Sequence, residues 1–168
     1  MNRVLIRTIA VLEIVGGLSG IVFILWSLTN YSLQPLSLAI ALFIVGIDVY
    51  SLAAGIALWP GTSFGRTASI IIQIIQIPKI FSSTLIFTFS FGVDLWINLL
   101  LDERFSAVGF QTSFLASNQL YLNVKTGQTG IGLSLTGATF LFILLKYKPR
   151  PATVTLPPPP PSGFAENA

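Results

Sequence analysis

The sequence contains no cysteine and no histidine, and only 9% of its 168 residues are charged. The first two absences exclude disulfides, thiolate nucleophiles, imidazole bases and nearly every transition-metal, haem or iron–sulfur site, so we expect no metal and no cofactor. An ordinary soluble domain carries about 25% charged residues, so this chain cannot cover itself with the usual polar surface. The composition therefore predicts a membrane protein surrounded by the lipid bilayer.

The few charges and the missing motifs also narrow the function classes. The net charge is +3, but the basic residues flank apolar runs instead of clustering on a soluble face, so nucleic acid is not an expected partner. The catalytic motif HExxH is absent from the sequence. With neither histidine nor cysteine present, we expect that the protein is not an enzyme.

Four apolar runs have about the 20-residue length that crosses a bilayer as a helix. They lie at residues 4–28, 36–59, 67–88 and 128–145. The pattern predicts an all-α membrane fold, a bundle of four transmembrane helices within residues 1–148. The first run resembles a signal peptide because Arg3 and Arg7 lie at its start, but it is too long and lacks a small-x-small cleavage site before Asn30.

The basic residues predict the direction of these spans. Six of the nine fall on one side of the predicted membrane: Arg3, Arg7, Arg66, Lys146, Lys148 and Arg150. Because positive charge favours the cytoplasmic side, both termini are expected inside. This distribution fits a multi-pass protein of a bacterial inner membrane.

The period of the apolar residues changes between the third and fourth runs. From Phe87 to Leu99 apolar and polar residues alternate strictly, and Leu120, Leu122 and Val124 repeat the alternation. Alternation indicates strands, so we expect an extracytoplasmic antiparallel β segment at 89–126. An interfacial amphipathic helix over 93–105 is the alternative. An exposed strand edge on such a sheet would require a partner.

The C-terminal residues 149–168 form a proline-rich tail that is expected in the cytoplasm. Its central run should adopt the polyproline II conformation: Pro157, Pro158, Pro159, Pro160 and Pro161. The tail is either a disordered extension or a ligand for an aromatic-lined groove on a cytoplasmic partner.

Three ionisable residues fall inside the predicted spans: Glu13, Asp48 and Lys79. An unpaired charge at a helix centre costs about 2.5–3.5 kcal/mol, so the three are expected to meet, with Asp48 and Lys79 forming an ion pair near mid-membrane. Polar residues on one face of the third span would join them. The predicted intramembrane polar cluster comprises Glu13, Asp48, Gln73, Gln76, Lys79 and Ser83.

Small residues recur at helical spacing on one face of each of the other spans, where bundled helices would pack. The predicted helix-packing residues are Gly16, Gly20, Ser51, Gly55, Gly130, Ser134 and Ala138. Pro78 is expected to kink the third helix and to free the carbonyl of Ile74 beside Lys79.

Two interpretations of the buried charges remain open at this point. In the first, the ion pair selects helix partners and register, with Glu13 protonated or hydrogen-bonded to Gln76. In the second, Glu13 changes charge at a site for a proton or polar substrate. The first favours an accessory or scaffold subunit with membrane-protein partners. The second favours a small proton- or ion-coupled transporter that acts as an oligomer through Glu13, Asp48 and Lys79.

Overall fold

The computed structural model describes six stretches of the chain: residues 3–30, 35–82, 85–102, 105–114, 119–122 and 129–148. They contain four helices: α1 (Arg3–Asn30), α2 (Pro35–Leu58), α3 (Ser63–Gln76) and α4 (Leu135–Lys146). They also contain six strands: β1 (Pro78–Phe81), β2 (Leu85–Thr88), β3 (Val93–Asp102), β4 (Phe105–Phe114), β5 (Gln119–Leu122) and β6 (Thr129–Ser134). All the strands precede α4 and follow α3.

The two long helices, α1 and α2, form an antiparallel hairpin that packs through small residues. A Cβ atom on Gly17 would lie 2.6 Å from the Asp48 carbonyl oxygen, and one on Gly55 would lie 2.7 Å from the Ala10 carbonyl oxygen. The Ser51 hydroxyl donates to the Glu13 carbonyl oxygen at 3.3 Å. The two backbones therefore approach as closely as small residues allow.

Thr62 and Pro78 determine where helix α3 begins and ends. The Thr62 hydroxyl accepts a hydrogen bond from the Gly65 amide at 3.0 Å and caps the first turn. At the other end the Ile77 amide donates to the Gln73 carbonyl, and Pro78 then prevents the helix from continuing because it has no amide hydrogen. The chain leaves α3 directly into β1.

The six strands form one antiparallel sheet in the order β4-β3-β6-β1-β2-β5. The ten-residue strands β3 and β4 pair along their whole length, from Val93 opposite Phe114 to Asp102 opposite Phe105. Strand β6 lies between β3 and β1, so the last of these strands in the sequence occupies a central position in the sheet. Within the described residues β4 pairs on one side only and is an edge strand.

The two faces of the sheet differ in polarity. On β3 the side chains of Asp94 and Asn98 point inward and are buried, whereas those of Val93, Leu95 and Leu99 point outward and are exposed. The apolar outward face continues on the strands beside β3, through Val108, Phe110, Phe114, Ile131, Leu133 and Ile80. The sheet is therefore polar toward the protein and apolar toward the outside.

Two apolar clusters hold the helices and the sheet together. One joins Ile44 and Ala54 of α2 to Ile72 of α3 and to Phe89 and Phe91, which follow β2. The other joins α1 to the ends of α2 and α4 through Ile6, Ile9, Ala10, Leu58 and Leu144. A polar layer of buried side chains lies beside these clusters.

The prediction of a four-span bundle is wrong. Only two helices in the described part of the chain, α1 and α2, are long and apolar enough to cross a membrane, as judged by length and composition. They lie where the first two spans were predicted. Helix α3 has 14 residues and α4 has 12, whereas a spanning helix needs about 20.

The third and fourth apolar runs each contain both a helix and a strand. The run 67–88 ends as a helix at Gln76 and continues as β1 and β2, and the run 128–145 begins as β6 before α4. The sheet therefore extends from 78 to 134 and is larger than the insert predicted at 89–126. Pro78 starts a strand instead of kinking a helix, and the alternative helix over 93–105 is wrong because β3 occupies most of that range.

Candidate functional site

The most polar buried region surrounds Lys79, and we call Lys79, Ser90, Asp94 and Ser134 the Lys79 cluster. The Lys79 ammonium lies 2.9 Å from Asp94 Oδ2, donates to Ser90 Oγ at 2.8 Å and also donates to the Phe89 carbonyl. Lys79 reaches this position because β1 directs alternate side chains inward, and Gly132 opposite it on β6 leaves room. An ammonium has three hydrogens, and all three have an acceptor here.

The Asp94 carboxylate is held from two further directions. The Ser90 hydroxyl donates to Asp94 Oδ2 at 2.7 Å, and the Ser134 hydroxyl donates to Asp94 Oδ1 at 2.5 Å. Ser134 is also the N-cap of α4, since its hydroxyl accepts from the Gly137 amide at 2.8 Å. One serine therefore fixes both the start of α4 and the carboxylate that pairs with Lys79.

The contact between Lys79 and Ser90 resembles the arrangement of a serine nucleophile and a lysine base, so its chemistry must be considered. Burial lowers the pKa of Lys79, and the Asp94 carboxylate acts in the opposite direction. The Ser90 hydrogen is donated to Asp94 and not to Lys79. A general base must accept the proton of the nucleophile, so this geometry favours a structural ion pair over a catalytic dyad.

A small cavity of about 210 Å³ adjoins the Lys79 cluster. Its wall includes Phe81 and Trp96, whose rings stack with centroids 5.4 Å apart, together with Gln111 and Ser113 of β4. The stacked rings cover the inward face of the sheet beside Lys79. This cavity is smaller than the roughly 300–1,000 Å³ of typical ligand pockets.

A second buried group, which we call the Glu13 cluster, joins α1 to α3 through Glu13, Ser69 and Gln73. The Ser69 hydroxyl donates to Glu13 Oε2 at 2.6 Å, and the Gln73 amide nitrogen donates to Glu13 Oε1 at 3.0 Å. Glu13 is 1% exposed, so both carboxylate oxygens are bound within the protein. Ser69 and Gln73 are one turn apart, which lets them hold one carboxylate together.

Gln76 continues the polar face of α3 by nearly one more turn but does not join the Glu13 cluster. It is 1% exposed, and neither polar atom of its amide has a hydrogen-bond partner among the described residues. The alternative in which Glu13 is hydrogen-bonded to Gln76 is therefore wrong, because the carboxylate accepts from Ser69 and Gln73 instead. A buried amide of this kind costs stability.

Asp48 lies against α1 at the level of Gly20. A Cβ atom on Gly20 would come within 2.5 Å of the Asp48 carboxylate, so a larger residue there would force this carboxylate to shift. The predicted ion pair between Asp48 and Lys79 is wrong, since Lys79 pairs with Asp94. Both residues are buried as expected, but they belong to different parts of the interior.

The remaining predicted residues have varied positions. Gly16 of α1 packs against the backbone of Phe91 and Gly92, and Ser51 and Gly55 of α2 pack against α1. Gly130 lies on β6, and Ala138 lies half-buried on α4, so the two do not form a stripe on one helix. Ser83 and the tail with Pro157, Pro158, Pro159, Pro160 and Pro161 lie outside the described residues.

Sequence reasoning missed Asp94 and Ser90 as members of the buried cluster. Both were assigned to the polar positions of an alternating segment, and that segment was placed outside the membrane. The signal was present, because alternation puts Ser90, Asp94 and Asn98 on one side of the chain. The predicted cluster omits Ser90 and Asp94 because it places Lys79 on a helix and not on a strand.

Comparison with family models, with curated proteins and with solved structures finds no match to this chain.

Proposed function

We propose that the protein is an integral membrane subunit that inserts the α1–α2 hairpin into the bilayer and supports a larger membrane complex. The chain from 14 to 47 contains no charged residue, and it includes the connection between the two helices. At about 1.5 Å per residue, the 28 residues of α1 extend roughly 40 Å, enough for a hydrocarbon core of about 30 Å.

The surface of the hairpin supports its insertion. Large apolar side chains on its outer half are strongly exposed, among them Val22, Phe23, Trp26, Leu42 and Phe43. In water these side chains would form a continuous apolar patch of the kind that soluble monomers avoid. Lipid would cover this patch at no such cost.

The distribution of polar groups supports the same environment. Among the described residues, buried polar or charged side chains are at least as numerous as buried apolar ones. Lys79, Asp94 and Glu13 are each bound by other side chains in the interior. A protein with a polar, hydrogen-bonded interior and an apolar exterior is suited to lipid, where unpaired polar groups are costly.

The main support for a role as a subunit comes from the edge strand β4. Its outward side chains Val108, Phe110 and Phe114 are 66%, 69% and 73% exposed, and one of its two edges has no strand partner among the described residues. An open edge leaves amide and carbonyl groups unpaired and readily accepts another strand. An apolar strand with an open edge is suited to a partner protein, which would cover both its side chains and its backbone.

A transporter acting as an oligomer is the second candidate. It would need a site in which Glu13, Asp48 and Lys79 act together and exchange partners during transport. Lys79 is instead paired with Asp94, and Glu13 is bound by Ser69 and Gln73. These contacts favour a structural role for the buried charges, so the subunit remains the preferred function.

The test is the mass of the assembly that carries the tagged chain after extraction from its own membranes in mild detergent, measured by native mass spectrometry. A heteromeric complex of fixed stoichiometry is expected. The substitution Phe110→Lys should release the partner and leave the chain in the membrane, because a charge on an edge strand opposes pairing. A homodimer containing this chain alone would contradict the subunit role and favour transport.

Phe64→Lys is the matched control for that experiment. Phe64 is 64% exposed, close to the 69% of Phe110, but it lies in the first turn of α3 and not on the sheet. Both variants add one positive charge at an exposed phenylalanine. Loss of the partner from both variants alike would show that the edge of β4 is not the contact.

A further inference from the structure

A basic cleft lies at the end of the molecule where α1 begins and where α2 and α4 end. Four cationic side chains line it, namely Arg3, Arg7, Lys146 and Lys148, together with Ile6, Trp59, Pro60, Gly61 and Tyr147. Its volume is about 710 Å³, within the range of roughly 300–1,000 Å³ that holds small ligands. Two separate chain segments supply these charges, and a third, at 59–61, completes the wall.

In the part of the chain that the structure describes, no aspartate or glutamate lines the cleft to balance its cations. The acidic side chains that the structure describes are Glu13, Asp48 and Asp94, and each is 1% exposed or less. Like charges gathered without a counterion repel one another, so a bound anion would stabilise this end of the protein.

The C-terminal end of α4 does not supply the missing negative charge, because Arg66 is bound to it. Its Nε donates to the Leu144 carbonyl at 2.8 Å, and its Nη2 donates to the Leu145 carbonyl at 3.0 Å. These carbonyls carry the partial negative charge of the helix end. With Arg66 bound to them, these carbonyls do not neutralise Lys146 and Lys148; Lys146 lies 4.2 Å from the centroid of the Phe142 ring, which leaves its charge uncompensated.

The aromatic side chains of the cleft indicate where it lies. The Arg7 guanidinium is 5.4 Å from the centroid of the Trp59 ring, and Tyr147 is half-buried beside them. Tryptophan and tyrosine prefer the depth of lipid headgroups, and arginine and lysine beside them contact headgroup phosphates. Trp59 directly follows α2, at the opposite end of the hairpin from its apolar outer half.

From this arrangement we propose that the cleft binds the phosphate group of an anionic lipid headgroup. Arg3, Arg7, Lys146 and Lys148 surround the phosphate, and Trp59 and Tyr147 flank the glycerol region of the lipid. The conclusion that the phosphate belongs to a lipid rests on the proposed membrane insertion. The conclusion that the cleft recognises phosphate rests on the cleft alone.

The experiment measures lipid binding to the full chain in a zwitterionic detergent by native mass spectrometry. Phosphatidylglycerol should bind more tightly than phosphatidylcholine, and added salt should weaken it. The double variant with Arg3→Gln and Lys148→Gln should lose roughly 25-fold in affinity for phosphatidylglycerol, at about fivefold for each cation removed. Both side chains are exposed, so the fold should survive. Thermal unfolding of the variant without added lipid checks this point.

The control variant carries Arg104→Gln and Lys125→Gln. It removes the same number of positive charges from the segment between β3 and β6, at sequence positions well separated from the four cations of the cleft. It should bind phosphatidylglycerol as the unaltered chain does. Equal losses in both double variants would mean that only net charge matters and would overturn the proposal.

A second arm separates the lipid from a soluble phosphate. Inorganic phosphate and glycerol phosphate are added in place of lipid, and the shift in thermal unfolding is recorded. Much weaker stabilisation than by phosphatidylglycerol at equal concentration supports the lipid assignment. Equal stabilisation would overturn that assignment and would leave the membrane insertion itself untouched. Equal binding of phosphatidylcholine and phosphatidylglycerol would overturn phosphate recognition by the cations.

Discussion

Lys79 Nζ lies 2.9 Å from Asp94 Oδ2, and both side chains are fully buried. The pair joins β1 to β3 across the intervening strand β6, and Ser134 ties it to the start of α4. Removing one member of a buried pair leaves the other as an uncompensated charge. Losing one member of the pair should therefore destabilise the protein more than losing both.

The first prediction concerns this coupling. Lys79→Met or Asp94→Leu alone should lower the free energy of unfolding by about 3–5 kcal/mol, and the double variant should recover most of the loss. Unfolding of the two single variants and the double variant in detergent forms the thermodynamic cycle. The corresponding cycle with Asp48→Leu and Lys79→Met should be additive. Strong coupling in that second cycle would restore the pair that the sequence predicted.

The second prediction compares two helix caps. Thr62→Ala should cost about 1 kcal/mol, because it removes the cap of α3 and a hydrogen bond from the Thr62 hydroxyl to the Ala57 carbonyl, both of them solvent-accessible and neither bound to a buried charge. Ser134→Ala removes the cap of α4 and a donor to the buried Asp94 carboxylate, so its cost should be larger by about 1–3 kcal/mol. Thermal or chemical unfolding measures both. Equal costs would show that the bond to Asp94 contributes nothing.

The third prediction concerns two glutamines nearly one turn apart on α3. Gln73 donates to Glu13, whereas the amide of Gln76 has no partner among the described residues. Gln76→Met should therefore stabilise the protein by about 1 kcal/mol, and Gln73→Met should destabilise it by about 1–3 kcal/mol. The two substitutions are chemically identical and equally buried. Destabilisation of similar size in both would indicate that Gln76 has a partner of its own.

The fourth prediction compares two glycines in the long helices. A Cβ atom on Gly16 would lie 2.6 Å from the Gly92 amide nitrogen, whereas one on Gly46 would meet nothing within 4 Å. The nearest atoms belong to the backbone of Phe91 and Gly92 and not to the end of a flexible side chain, so they cannot readily move aside. Gly16→Ala should cost about 1–3 kcal/mol, and Gly46→Ala should be neutral or stabilising by up to about 1 kcal/mol. A neutral Gly16→Ala would contradict the close packing of α1 against this loop.

The sequence predicted the parts of the fold that depend on one clear pattern. The apolar runs of α1 and α2 are long, and the alternation from Phe87 to Leu99 marks β3. The stretch from Ser69 to Phe81 has no such clarity, because isoleucine is both apolar and β-branched and suits either a buried helix or a strand. Pro78 marked the change of structure, but it was interpreted as a kink.

That one error in secondary structure explains the errors in the site. A helix over this stretch places Lys79 at the same depth in the membrane as Asp48. This match in depth predicts that the two residues pair. On a strand, the partner is set by the register between β1, β6 and β3, which pairs residues far apart in the sequence. A single sequence contains little information about register when the strands are short.

The most direct test of membrane insertion uses the absence of cysteine in the natural sequence. Phe23→Cys and Leu42→Cys place single thiols on the hairpin, at positions that are each 60% exposed, and Ser63→Cys places one at the exposed start of α3. The protein in lipid nanodiscs is treated with a charged maleimide, which reacts with thiolates in water. If the hairpin is inserted, labelling is expected to be rapid at position 63 and almost absent at 23 and 42 until detergent is added. Equally rapid labelling at all three positions in nanodiscs would contradict insertion of the hairpin.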